Sequence, residues 1–304
     1  MKKSKNYVNL TLYTMNFTNK YLIYFYPLLL SFIISCSSPR VSVLAINYTP
    51  NFSKNILKAN LNKIENKAIK NPANSTLQFN ASKELTIFSY GFTMNEAVRL
   101  KYLDYTSSNS IYLKAHKDFI RSIDYINTSL ALDYPDYSLW INENNQNKTV
   151  FKKETAEKLY WAAGAYAGAI QSSNGAPEWV IQLPKIGFLL ESGMELDPDW
   201  NYGSFYTAMI SYSLIRHDAK EDKLDLAKSF FKKAIDASKA KDLSPYISYA
   251  ENIAVSEQDK NSFTNMLYKA LNIDIYANPE LTLSNYMNRK RANWLLDNID
   301  EYFY

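Results

Sequence analysis

The sequence predicts an all-α protein in which helical hairpins stack side by side as a solenoid of about ten helices. Three observations carry that expectation. From Ser53 onward apolar residues recur at steps of three and four, as on one face of a helix. The gaps between these segments hold Pro, Gly and Asn. Four of the expected helices also end on one shared template, and no stretch shows the alternation of a strand.

Taken in order, the first periodic segments are Ile56, Leu57, Leu61, Ile64 and Ala68, then Leu85, Phe88, Tyr90, Phe92, Ala97 and Leu100. Further helices are expected over Ile111 to Leu132, Thr155 to Gln171, Trp179 to Leu196, Ser204 to Arg216, Lys223 to Lys239, Ser244 to Ile253, Asn261 to Ile273 and Leu281 to Phe303. Breaks fall at Tyr134-Pro135, Asn174-Gly175-Ala176-Pro177, Asp197-Pro198, Leu243-Ser244-Pro245 and Asn278-Pro279. Ser244 before Pro245 reads as an N-cap followed by a proline at the first helical position. The polar segment Asn142 to Lys148 has no apolar period and is expected to be a surface loop around Asn144.

The shared ending is a large apolar residue, two variable positions, a small residue, an apolar one and a polar stop. It occurs at Ile126-x-x-Ser129-Leu130, Leu190-x-x-Gly193-Met194, Phe231-x-x-Ala234-Ile235 and Leu267-x-x-Ala270-Leu271. The small residue lets a neighbouring helix come close, and the apolar residues around it fill the groove. This is the second-helix ending of a tetratricopeptide-like repeat. Spacings of 64, 41 and 36 residues depart from the roughly 34-residue period of regular repeats, so these are degenerate.

At the amino end, Lys2, Lys3, Lys5 and Lys20 precede an apolar run from Tyr21 to Ile34 that closes on Ser35-Cys36. That is the layout of a lipoprotein signal peptide over residues 1–36, with Cys36 carrying the lipid and linking the chain to a membrane. The run is shorter than the roughly 18–20 residues a bilayer span needs, and Pro27 interrupts it. Met15 opens a signal of more ordinary length. Residues 37–52 lack helical periodicity and are expected to form a flexible tether, with an all-helical domain over 53–304. Ser37, where an Asp would favour retention at the inner membrane, points to a periplasmic place on the outer membrane.

The formal charge of +4 comes from that export segment. With its four lysines set aside, 30 basic residues face 30 acidic ones, so the basicity that would suggest a nucleic-acid partner disappears. Cys36 is the single cysteine, so a hydrophobic core must hold the exported body without disulfides. His116 and His217 are the only histidines and have no ligand spacing around them, which argues against a metal site. No nucleophile elbow, phosphate loop or dinucleotide fingerprint occurs, so neither an enzyme nor a bound cofactor is expected. Glu191, Glu195, Asp197 and Asp199 cluster at a helix end, where capping and solvation account for them.

Between Tyr160 and Ile170, seven of eleven residues are Ala or Gly and the others are Tyr160, Trp161, Tyr166 and Ile170. A helix this slim fits two readings, a central helix crowded by neighbours or the wall of a passage with its aromatics facing a ligand. Tyrosine is abundant, at 25 residues beside 5 Trp, and much of it falls at element edges, including Trp200, Tyr246, Tyr249 and Trp294. Such side chains supply binding area with a polar tip. Ordinary packing uses them too.

Four motifs in order complete the pattern: Leu159-Tyr160-Trp161-Ala162-Ala163-Gly164-Ala165, Leu183-Pro184-Lys185 leading to Met194-Glu195-Leu196-Asp197-Pro198-Asp199, Ser244-Pro245-Tyr246-Ile247-Ser248-Tyr249-Ala250-Glu251, and Arg289-Lys290-Arg291-Ala292-Asn293-Trp294-Leu295-Leu296. In these the chain resembles the TatT family, the T component of tetratricopeptide-protein-associated TRAP (tripartite ATP-independent periplasmic) transporters, from about Leu57 to Phe303. It departs from the family at the Asn144 loop, and where Ser211 to Leu214 and Lys220 to Lys223 replace a glycine-rich turn. The resemblance implies a periplasmic lipoprotein of degenerate helical hairpins that associates with a periplasmic solute-binding protein. It also implies that the chain can form a homotrimer with a pore through each subunit. The lipid-bearing position maps to Cys36, and candidates for a ligand channel are Tyr160, Trp161, Tyr166, Trp200, Tyr246, Tyr249, Arg291 and Trp294. A structural adaptor lipoprotein, built of the same repeats but without a ligand, is the other function these residues fit.

Overall fold

The computed structural model describes residues 39–101, 103–143 and 149–303. The described residues up to Ile56 and those from Leu57 onward fall into two compact units. The first unit holds α1 (Pro39–Tyr48), and α2 (Pro50–Lys70) starts within it. Thr49 Oγ1 donates to the Ala45 carbonyl at 2.8 Å, satisfying an acceptor at the end of α1. Residues 37–52, read as an aperiodic tether, are therefore helical from Pro39, ahead of the expected start at Ser53. Pro50 opens α2 at the position where a proline's missing N–H costs nothing. Residues 1–36, Ser37 and the Asn144 loop lie outside the described residues.

In the second unit every described element is helical, as the periodicity predicts. Asn74 caps α3 (Ser75–Phe88) by accepting the Leu77 amide at 3.0 Å, and the helix continues through a π-helical segment, Ser89–Met94, into α4 (Asn95–Leu100). Asp104 caps the long α5 (Tyr105–Asp133) in the same way. A short α6 (Tyr137–Glu143) follows, beginning past Pro135 and ending in the segment expected to be loop.

The small-residue segment is α7 (Ala156–Ser172). The span Trp179–Leu196 divides into α8 (Pro177–Val180) and α9 (Leu183–Leu196), because Pro184 suits a first turn and not a helix interior. Next comes α10 (Trp200–Ile215), whose first turn is left-handed at Asn201, Tyr202 and Gly203. Asp222 caps α11 (Lys223–Ser238), and Lys239 ends it in the left-handed region at φ 50°.

Ser244 is not the cap of α12 (Ser244–Ser248). Leu243 holds that position, and Asp242 one residue earlier accepts both the Ser244 amide, at 2.9 Å, and its hydroxyl. A second π-helical segment, Tyr249–Ala254, continues α12. Then come α13 (Lys260–Leu271) and α14 (Thr282–Asp297), beyond which the chain tightens into a 3₁₀ turn.

Helices pack largely in chain order: α3 on α5, α5 on α7, α7 on α9, α10 on α11, and α13 on both the Tyr249–Ala254 segment and α14. The order is compatible with a hairpin solenoid. The core joins Phe119, Ile126 and Leu130 of α5 to Leu159 of α7, Leu189 of α9, and Phe205 and Ile210 of α10, all buried. Each such side chain contributes roughly 1.5–3 kcal/mol on leaving water.

The shared ending explains itself in three dimensions. Ser129, Gly193, Ala234 and Ala270 are all buried. A Cβ at Gly193 would run into the Phe205 ring, and Ser129 exchanges hydrogen bonds with Ser75. At Ser129, Gly193 and Ala234 a neighbouring helix comes close. Among the described residues no helix is long and apolar enough to cross a membrane.

Candidate functional site

The slim helix α7 presents two different faces. Leu159, Ala162, Ala165, Tyr166 and Ala169 face the core and are buried, and a Cβ on Gly168 would enter the Phe119 ring. The face carrying Tyr160, Gly164, Ala167 and Gln171, at steps of three and four, lines open space instead. A Cβ on Gly164 would meet only Thr86 Cγ2, at 3.7 Å.

That open space begins as a cavity of about 260 Å³ walled by Tyr90, Tyr160 and Trp161 with Ile186, Leu190 and Tyr212. Its wall is mostly apolar; two of its polar side chains are tied down, while the buried Trp161 indole Nε1 has no hydrogen-bond partner among the described residues. Tyr90 Oη donates to the Gly164 carbonyl at 3.0 Å, and Ser211 Oγ donates to the Ala208 carbonyl at 3.1 Å. Burial raises the Tyr90 phenol well above its ordinary range. It pushes Tyr160 up to about 12, with the Asp242 carboxylate adding to the effect and a hydrogen bond with Ser204 opposing it. Tyr212 is likewise pushed up to about 12 by burial, against the pull of Arg216. In all three phenols burial is the largest cause of the upward shift, as an apolar wall would produce.

Two further cavities adjoin the first. One, of about 430 Å³, shares Ser211 with it and adds Lys101, Gln171, Glu251, Arg291 and Trp294. The other, of about 360 Å³, shares Tyr90 and adds Met94, Arg99, Glu251, Lys290 and Arg291. Glu251 and Arg291 stand in the wall between the two. Arg291 Nε donates to Glu251 Oε1 at 3.0 Å and Nη2 donates to the same oxygen. The guanidinium lies 4.5 Å over the Trp294 ring. Both π-helical segments border these cavities, the first through Tyr90 and Met94 and the second through Glu251. Such segments are frequent at functional sites because an extra residue re-aims the side chains around it.

Of the residues singled out in the sequence, Tyr160 and Trp161 line the apolar cavity, while Arg291 and Trp294 line the polar one. Tyr166, Trp200, Tyr246 and Tyr249 line none of the three. Tyr166 is buried and accepts a hydrogen bond from Asn127, and Trp200 packs on Tyr160 and Phe205. Tyr246 and Tyr249 pack on Phe231. Cys36 lies outside the described residues. Sequence reasoning missed Tyr90, Arg99, Gln171, Ser211, Glu251 and Lys290. Glu251 and Lys290 do sit inside two of the quoted motifs, which is the one signal that pointed at them.

Elsewhere the polar side chains serve structure. Glu191 pairs with Arg216 at 2.7 Å, and Asp197 lies 3.5 Å from Lys153. His116 Nδ1 is 3.0 Å from the Ala169 carbonyl oxygen, and its ring stands edge-on to Trp179. Among the described residues no group of three or more His, Cys, Asp or Glu could hold a metal ion.

Fold and site together define an all-α protein with neighbouring cavities, one lined mostly by apolar side chains and two lined by charged ones. The chain belongs to the TRAP transporter T-component family, whose sequence profile matches residues 50–303. It is therefore an accessory component of TRAP transport. It is also similar to an uncharacterised protein of Treponema pallidum (strain Nichols), 21% identical over 240 residues, which are 77% of this chain and 74% of that one.

Proposed function

We propose that the chain is a lipid-anchored periplasmic component of a TRAP-type transporter, which docks a periplasmic solute-binding protein and takes an apolar or amphipathic ligand into its interior. The observation that carries this reading is the apolar cavity behind Tyr160 and Trp161, which shares Tyr90 and Ser211 with two cavities lined by the charged pair Glu251 and Arg291. A helical body that only held an assembly together would gain from filling that space with side chains, since a cavity costs packing energy. The lipid on Cys36 would hold the body at the membrane, on the outer-membrane side by the Ser37 argument, and a homotrimer is the assembly the family resemblance supports.

The test is a pull-down from envelope extract with the tagged chain as bait, followed by mass spectrometry of proteins and of co-purifying small molecules. Recovery of a solute-binding protein together with an apolar or amphipathic molecule is the expected result. Recovery of envelope assembly factors alone, with no ligand, would replace this reading with that of a structural adaptor.

A further inference from the structure

Arg99, Lys290 and Arg291 border one polar cavity, and among the described residues Glu251 is the one carboxylate in its lining. Glu251 satisfies Arg291 only in part. Both donated hydrogen bonds converge on Oε1, from Nε and Nη2, and Nη1 has no acceptor among the described residues. A guanidinium offers five N–H donors in a planar fork suited to a carboxylate, so donors of Arg291 remain for a second anion. The rest of its surface is already organised, because one face lies on Trp294 and its side chain is three-quarters buried. Arg99 likewise has no carboxylate partner among the described residues, and it borders the same space. The polar end of the interior is thus positively charged, although the chain beyond Cys36 is close to neutral.

We infer that Arg291 receives the carboxylate of a single-chain amphiphile whose hydrocarbon tail lies in the cavity walled by Tyr90, Tyr160 and Trp161. The inference rests on the ligand reading above and narrows it to an anion. Glu251 acts here as an internal competitor that occupies part of the guanidinium fork when the ligand is absent. A cationic amphiphile would meet the like charges of Arg99, Lys290 and Arg291, and a neutral one would leave the Arg291 donors unused in a partly buried site.

The experiment uses the full-length chain in lipid vesicles with four photo-reactive probes that share a twelve-carbon, diazirine-bearing tail: a carboxylate, a phosphate monoester, an alcohol and a trimethylammonium. Label is mapped by mass spectrometry to the peptides carrying Tyr90, Tyr160 and Trp161. The carboxylate should label these peptides most strongly. Arg291→Gln should lower that yield about tenfold and leave the alcohol's yield unchanged, while Glu251→Gln should raise the carboxylate yield severalfold.

If Arg291→Gln does not reach the melting temperature of the parent chain, Glu251→Gln decides the matter by itself, since an unchanged or lower carboxylate yield there overturns the inference. Equal labelling by alcohol and carboxylate would also overturn it while leaving an apolar passage in place. Preference for the ammonium would make Glu251 the receiving group, and preference for the phosphate would assign the site to a phosphate head. No label on these peptides from any probe would remove the passage reading itself.

Discussion

At the scale of single residues, two glycines one helical turn apart have opposite duties. Gly168 presses on Phe119, so Gly168→Ala must push an aromatic ring out of a packed core and should cost about 1–3 kcal/mol. Gly164 faces the cavity with room for a methyl group, and Gly164→Ala should be neutral or stabilising by up to about 1 kcal/mol, as expected for removing a helix-interior glycine. Urea denaturation of the two variants checks the contrast, and equal losses would mean that α7 is crowded on both faces.

The phenols make a second residue-level prediction. Tyr160 and Tyr212 both titrate near 12 in the fold against an ordinary value of 10.0, because burial disfavours the tyrosinate. A raised folded pKa means that the unfolded chain loses its proton first. The stabilisation is therefore complete below pH 10 and is lost as the pH rises from about 10 towards about 12. Denaturation midpoints should fall across that window in step with tyrosinate absorbance. A flat profile would show that these rings are solvated.

At the scale of elements, caps and breakers decide where helices begin. Asp222 accepts the amides of both Leu224 and Asp225, at 2.9 and 3.0 Å, ahead of α11. Asp222→Ala should cost about 1 kcal/mol, read as a lowered midpoint with an unchanged m-value. The sequence placed most helices because their signals are local: apolar steps of three and four, and Pro or Asn between them. It misplaced those whose signals are short. The segment from Pro39 carries too few residues for a period to declare itself, and Ser244 before Pro245 looked like a cap although Asp242 supplies the acceptor. The break before Leu183 depends on one proline inside an otherwise continuous apolar pattern.

At the scale of the whole molecule, the cavities are lined by residues far apart in the chain. Tyr90 comes from the first π-helical segment, Gly164 from α7, Ser211 from α10, Glu251 from the second π-helical segment and Arg291 from α14. The proposed anchoring also belongs to this scale. In the native host Cys36→Ala should move the full chain from the membrane fraction to the soluble fraction, and a chain that stays with the membrane after that change would exclude lipid on Cys36 as the anchor.

What the sequence determined by itself was the helical class, the positions of close contact and the family. The steric demand at Ser129, Gly193 and Ala234 is written into residue type, and the family motifs are contiguous strings. Which aromatics line a cavity was settled by tertiary structure alone. Tyr160 and Tyr166 sit in the same helix with the same small neighbours, yet one borders the open space and the other is packed into the core. The pairing of Glu251 with Arg291 was equally hidden, since a charge finds its partner through the path of the whole chain. Local chemistry fixes what a residue can do, and only the fold decides what it faces.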